Sequence, residues 1–251
     1  MRYLVLSDIH SNLEALTAVL RRVRRKKFDR VVILGDLVGY GADPNSTVDK
    51  VRHLRRTVII RGNHDKVCSG LEAGEMFNKV ALESARWTEK KLLPRHRRWL
   101  RALPRGPVEV DGVLSISHGT PLDEDAYIFG EIEALNMFPF FTTPICFFGH
   151  SHFPVVFGLD QESLTTYVPT KNGANGGAYR VKLRQDTRYL INPGSIGQPR
   201  DGDNRASFGI LDFGRMTMTI YRVAYAYEKT QAKIRAAGLP SPLADRLALG
   251  R

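Results

Sequence analysis

The sequence predicts a mixed α/β fold in which two β-sheets pack face to face, with helices on their outer faces. Three observations carry that reading. The first sixty residues alternate apolar runs and amphipathic stretches as β-α-β-α-β, which implies parallel strands joined by right-handed helical crossovers. Beyond residue 152 the texture changes to short alternating strands separated by turn signals, which favours antiparallel pairing. The 251 residues are 43% hydrophobic and 25% charged, enough for one substantial core. Neither a linker nor an internal repeat divides them, so one domain over 1–251 is expected.

In order, residues 2–7 read as a buried strand and 12–27 as a helix. The helix has an apolar stripe of Leu13, Leu16, Val19, Leu20 and Val23, with Arg21, Arg22, Arg24, Arg25, Lys26 and Lys27 outside it. Strand 30–34, a Gly-rich loop through Gly41, helix 45–55 and strand 57–60 complete the alternation. The run Val58-Ile59-Ile60 leads into Gly62-Asn63-His64-Asp65, which reads as a tight loop. Residues 71–103 look helical throughout, with a break forced by Pro94. Strands at 107–110 and 113–117 flank the hairpin signal Asp111-Gly112. An acid- and Pro-rich loop covers 120–127, a short helix about 130–137, and strand 145–148 ends at Gly149. The later strands are 154–159, 164–168, 178–183, 187–192, 207–213 and 216–223, with turns at Asn172-Gly173 and Asn175-Gly176-Gly177. A helix near 225–236 closes the fold, and the tail 237–251, with Pro240 and Pro242, is expected to form a loose cap.

No apolar run approaches the ~20 residues of a membrane-spanning helix. The first strand starts by Tyr3, which leaves no room for a cleavable signal peptide, so a cytoplasmic protein without a membrane partner is expected. Two cysteines make no disulfide framework. Cys146 lies inside a strand as a core residue, and nothing around Cys68 marks an activated thiolate. The net charge of +11 favours anionic partners. Its basic residues, including the cluster Arg95 to Arg101 around Trp99 and Leu100, read as solvated helix faces. No aromatic interleaving marks a specific nucleic-acid site.

Five apolar strands end in metal-ligand residue types: Asp8-Ile9-His10, Gly35-Asp36, Gly62-Asn63-His64-Asp65, His118-Gly119 and Gly149-His150-Ser151-His152. Five of the seven histidines sit there, while His53 and His96 lie in Arg-rich helical contexts and read as structural. Imidazoles and carboxylates this dense at one sheet edge require bound cations to offset repulsion and desolvation. In parallel sheets that edge, outside the carboxyl ends of the strands, is where sites form. Mixed His and Asp without Cys suits borderline ions such as Mn²⁺, Fe or Zn²⁺. The ligand number suggests two ions about 3.5–4 Å apart, sharing one carboxylate.

This ordered set resembles the calcineurin-like metallophosphoesterase superfamily, whose five motif blocks are all present over residues 8–152. The resemblance implies the four-layer αββα metallophosphoesterase fold and two divalent ions, Mn²⁺ foremost, with Fe, Zn²⁺, Ni²⁺ or Co²⁺ as alternatives. It implies that Asp8, His10 and His152 hold one ion, that Asn63, His118 and His150 hold the other, and that Asp36 bridges them. A metal-bridging hydroxide would attack phosphorus in line. His64, left over as a non-ligand, is then the general acid or transition-state stabiliser, with Asp65 orienting it.

Two departures narrow the resemblance. Ser/Thr phosphoprotein phosphatases, and the symmetrical dinucleoside tetraphosphatases similar to them, carry Gly-Asp-x-Val-Asp-Arg-Gly in the second block. Here Gly35-Asp36-Leu37-Val38-Gly39-Tyr40-Gly41 places Tyr40 where their phosphate-gripping Arg stands, and Asp65 replaces their Glu. The chain is closer to the small, single-domain prokaryotic phosphodiesterases. Its segment from Asn192-Pro193-Gly194-Ser195 to Asn204-Arg205 resembles one that returns to the active-site rim in those enzymes. A strand ending in Pro-Gly-Ser would offer free backbone N–H groups to an anion, and Arg205, or secondarily Arg200, would replace the missing phosphate grip. The expected function is dinuclear-metal-dependent hydrolysis of phosphodiester or phosphoanhydride bonds in small, nucleotide-type substrates. The alternatives are a phosphomonoesterase, including a protein phosphatase, and a non-catalytic scaffold of the same fold.

Overall fold

The computed structural model describes residues 1–169 and 177–251. The turns expected at Asn172-Gly173 and Asn175-Gly176 lie outside the described residues. The chain opens with β1 (Arg2–Leu6), α1 (Leu13–Val23), β2 (Arg30–Ile33), α2 (Pro44–Arg52) and β3 (Thr57–Ile59). The three strands pair in parallel, as the alternation predicts. α1 is shorter than the expected 12–27. Its buried face is Ala15, Leu16, Val19 and Val23, and the Arg/Lys run beyond offers no further apolar residue to bury. Asn12 fixes its start, the side chain accepting from Ala15 N at 3.1 Å.

The segment read as a loop at Gly62-Asn63-His64-Asp65 is instead the first turn of α3 (Asn63–Ser69), with Gly62 as N-cap. Gly70, at φ 77°, ends that helix. Residues 71–78 are not helical, a correction to the expected run. Gly74, also at φ 77°, turns the chain, and helix resumes only at α4 (Lys79–Lys91), capped by Asn78. Pro94 opens α5 (Pro94–Arg101) at its first turn, as the break required.

β4 (Val108–Val110) and β5 (Leu114–Ile116) form the expected hairpin. Then follow α6 (Glu131–Met137), β6 (Ile145–Phe147), β7 (Val155–Leu159), β8 (Leu164–Tyr167), β9 (Ala178–Lys182), β10 (Arg188–Asn192), β11 (Ala206–Asp212), β12 (Thr217–Val223), α7 (Tyr227–Ala236) and α8 (Ser241–Leu249). The tail is therefore no loose cap. Leu243, Ala244 and Leu247 of α8 are buried with Ile234 of α7, Ala81 of α4 and Tyr40.

Two mixed sheets of six strands result, ordered β3-β2-β1-β11-β12-β9 and β4-β5-β6-β10-β7-β8. The later strands do not run as one meander. β9, β11 and β12 extend the first sheet antiparallel, while β10 crosses to the second and pairs parallel with β6. Alternation along β1 shows the layering. Tyr3 and Val5 face Ile116, Phe147 and Ile191 between the sheets, while Leu4 and Leu6 face Leu16, Val48 and Val51 of the helices. On the far side, Cys146, Phe148 and Phe157 pack with Ala134 of α6. Helix, sheet, sheet and helix form four layers. The carboxyl ends of β1, β2, β3, β5 and β6 come to one edge.

Candidate metal centre

At that edge the backbone turns sharply. Asp8, His10, Asp36, His150 and His152 adopt φ of 52, 49, 51, 63 and 63°, the left-handed region, as do Ser11 and Tyr40 beside them. A non-glycine residue there costs about 1–2 kcal/mol. Strain on this scale persists only where surrounding contacts fix it, and its concentration marks a functional site. The contacts are specific. Ser195 Oγ and Gly197 N donate to the Asp8 carbonyl at 2.9 and 2.8 Å, and Ile196 N donates to Ser7 O at 3.0 Å. These amides were expected to face an anion. They are instead occupied holding the Asp8 loop, and Gly194 N is likewise taken by Asn192 Oδ1 at 2.8 Å.

The ring tautomers follow from carbonyl partners, which can only accept. His10 Nδ1 donates to Val38 O (3.2 Å), His118 Nδ1 to Leu34 O (2.7 Å) and His152 Nδ1 to Gln198 O (2.6 Å). In the neutral ring each Nε2 therefore carries the lone pair. His10 Nε2 lies 3.1 Å from His152 Nε2 and 3.5 Å from Asp36 Oδ2. His118 Nε2 lies 3.5 Å from the same Asp36 oxygen and 3.2 Å from Asn63 Oδ1, and His152 Nε2 lies 3.3 Å from Asp8 Oδ1. His150 is reversed: its Nε2 donates to Asp125 O at 3.1 Å, which leaves Nδ1 as the free acceptor.

Two groups emerge, Asp8/His10/Asp36/His152 and Asp36/His118/His150, each with ligand atoms within 4.8 Å of one another and every member buried. Asp36 belongs to both. Acceptors converging on acceptors in a buried site are repulsive unless cations lie between them, so the donor set fits two metal ions. The electrostatics agree. Burial opposes the charge on His118, yet Asp36 raises its pKa to about 10, which shows how strongly this spot favours a positive charge. Burial lowers His150 to about 3.

His64 sits beside the ligands. Its backbone N–H donates to Asp36 Oδ1 at 2.9 Å, and its ring packs on Tyr40 and Phe77 with centroids at 4.2 and 4.6 Å. Its Nδ1 is buried without a hydrogen-bond partner among the described residues. That nitrogen lies against Gly39, where an added Cβ would stand 2.5 Å away. Burial lowers the ring to about 4. Asp65 does not orient it, contrary to expectation. Asp65 Oδ1 accepts from Leu37 N and Val38 N (2.9 and 3.2 Å), and Oδ2 from Gly62 N (3.0 Å). It ties the Asp36 loop to the start of α3. Burial and the Asp36 carboxylate push it up to about 7, against three N–H donors that favour its charged form. Burial also raises the Cys68 thiol, further pushed by Asp65, so no thiolate forms there.

A cavity of about 500 Å³ opens onto the candidate ligands, lined among others by Tyr40, His64, Phe77, Tyr127 and Arg200. The two arginines exchange the importance expected of them. Arg200 faces this cavity with a buried Nε that has no partner among the described residues, whereas Arg205 is paired with Asp203 at 2.6–3.1 Å and does not line it. The sequence reading also missed the opposite wall. Buried Lys66 pairs with Asp125 (2.7 Å), Glu72 (2.9 Å) and Glu124 (3.2 Å), and Tyr127 stacks on His150 with centroids 3.9 Å apart. An acidic, Pro-containing loop gave no signal that it packs onto a candidate metal-ligand histidine.

A sequence model of the calcineurin-like phosphoesterase family matches residues 1–154, the stretch that supplies every candidate ligand. The chain belongs to that family. This makes it a phosphoesterase of a kind that uses divalent metals. Among relatives of this phosphoesterase is the uncharacterized protein MJ0912 of Methanocaldococcus jannaschii, 37% identical over 98% of this chain and 97% of that one. A metallophosphoesterase crystal structure from Sphaerobacter thermophilus is 39% identical, with a TM-score of 0.85 over 100% of this chain and 99% of that one. The hypothetical protein PH1004 of Pyrococcus horikoshii shares the fold, with a TM-score of 0.80 at 19% identity, over 100% of this chain and 98% of that one. No helix among the described residues is long and apolar enough to cross a membrane.

Proposed function

We propose that this calcineurin-like phosphoesterase is a cytoplasmic, dinuclear-metal phosphodiesterase acting on small nucleotide-type substrates. The observation that carries the proposal is the pair of acceptor-only clusters sharing Asp36, set at the floor of the cavity. Asp8, His10, Asp36 and His152 would hold one ion; Asp36, Asn63, His118 and His150 the other, with Mn²⁺ the first choice for this His/Asp set. When bound, two such ions supply Lewis acidity toward a phosphoryl oxygen and lower the pKa of a nearby water.

The chain's own groups do the rest. The buried Nδ1 of His64 faces Gly39, which leaves Nε2 as the nitrogen turned toward the cavity. From there it serves the leaving-group oxygen as general acid or hydrogen-bonding stabiliser. Arg200 binds a phosphoryl oxygen through its guanidinium. Asp65 fixes the backbone that carries Asp36, Val38 and Asn63.

A diester is favoured over a monoester because Arg200 is the one guanidinium facing the cavity among the described residues, matching the single charge of a diester. The space beyond the ligands accepts a second ester substituent, and Tyr40, Phe77 and Tyr127 offer ring surfaces suited to a base. The test is hydrolysis of an aryl phosphodiester beside the matching monoester, with added Mn²⁺ and with chelator. Metal-dependent turnover favouring the diester is expected; a preference for the monoester would reassign the enzyme as a phosphatase.

A further inference from the structure

The cavity wall carries a charge opposite to that of the whole chain. Net charge is +11, yet the carboxylates of Glu72, Glu75 and Asp125 line the cavity beyond the ligands, against the single guanidinium of Arg200. Lys66 offsets this only in part, because three carboxylates share its one ammonium. Its side chain is 2% exposed, it is absent from the lining, and its ammonium is enclosed by Glu72, Glu124 and Asp125. Arg61 is likewise paired with Glu124 at 3.0 Å. Arg246 stands behind Gln198, donating to its Oε1 at 3.2 Å, and does not line the cavity. Glu75 has no ion-pair partner among the described residues.

Resting on the phosphodiester reading above, we infer that this cavity selects substrates with one phosphoryl group and an uncharged or cationic leaving moiety, and discriminates against polyphosphate chains. One phosphoryl group is accommodated at the floor, between the ligand clusters and Arg200. A second or third would have to extend along the wall, where the groups that meet it are Glu72, Glu75 and Asp125. The apolar part of that wall, Val67, Phe77 and Ala81, suits the face of a nucleoside or an alkyl or aryl alcohol. An anionic wall set against a cationic floor therefore sorts substrates by how many charges lie beyond the scissile group. The basic outer helices have no part in this sorting, since their charges face solvent.

The experiment compares kcat/KM for adenylyl-(3′,5′)-adenosine, with one phosphoryl group, and diadenosine tetraphosphate, with four, using the Mn²⁺-loaded enzyme and its Glu75→Gln and Glu75→Lys variants. Because Glu75 is exposed and unpaired, neither substitution threatens folding. The wild-type enzyme is expected to favour the single-phosphate substrate at least tenfold. Glu75→Lys should narrow that ratio about tenfold, with Glu75→Gln between. Preference for the tetraphosphate, or a ratio unmoved by Glu75→Lys, overturns the selectivity while leaving the phosphodiesterase reading intact. Hydrolysis of neither substrate overturns both.

Discussion

His10 and His152 face one another through Nε2 atoms 3.1 Å apart, although both Nδ1 atoms already donate to backbone carbonyls. Two lone pairs in that position repel unless a cation lies between or beside them. Their rings are held there by β1 and by the segment after β6, so neither can turn away without breaking its carbonyl bond.

Metal removal should therefore affect stability as well as turnover. A site holding ion at about 100 times its Kd contributes about 2.7 kcal/mol. For a chain of this size that corresponds to roughly 5–10 °C in Tm. Chelation should abolish hydrolysis and lower Tm by that order, with both restored by Mn²⁺. A Tm indifferent to chelator would mean the clusters bind no ion.

Asp36 is the residue common to both clusters. Asp36→Asn keeps its shape and removes its charge, so metal content should fall from two ions to one or fewer per chain by elemental analysis. Turnover should drop at least 10³-fold, on the order of losing the metal-assisted pathway. Full occupancy in this variant would contradict the shared-ligand assignment.

His64 and Gly39 should act as a pair. His64→Ala is expected to keep both metals and lose roughly 10²–10⁴-fold in kcat, the usual range for a positioned proton donor. Gly39→Ala puts a Cβ where His64 Nδ1 lies and adds a side chain at φ 90°, so it should displace the ring and reproduce much of that loss. Its stability cost should be about 1–2 kcal/mol. If Gly39→Ala kept full kcat, the ring's position would not matter to the chemistry.

The two arginines separate binding from structure. Arg200→Ala should raise KM about tenfold with metal content intact, since a charged hydrogen bond is worth about 1.5–3 kcal/mol. Arg205→Ala, which leaves Asp203 without its bidentate partner, should leave KM unchanged. The reverse pattern in steady-state kinetics would restore Arg205 as the phosphate grip.

Much of the candidate site was legible because its residues lie at strand ends. Apolar runs mark strands, parallel strands carry their sites at the carboxyl edge, and Asp8, His10, Asp36, Asn63, His118, His150 and His152 stand just past those runs. The layered fold was readable from the same periodicities. Helix limits were less so: α1 stopped where its apolar stripe stopped, and Gly70 and Gly74 broke the run expected from 71.

By itself the sequence determined the candidate ligand types, their order and the strands that carry them, because these follow from local pattern. Only the tertiary structure decided which side chains meet. It turned Asp65 to backbone amides instead of His64, brought Arg200 rather than Arg205 to the cavity, and buried Lys66 among three carboxylates from two segments. It also set five candidate ligands in left-handed backbone that only surrounding contacts can hold. Such choices depend on contacts between residues far apart in the chain, and a local pattern carries no record of them.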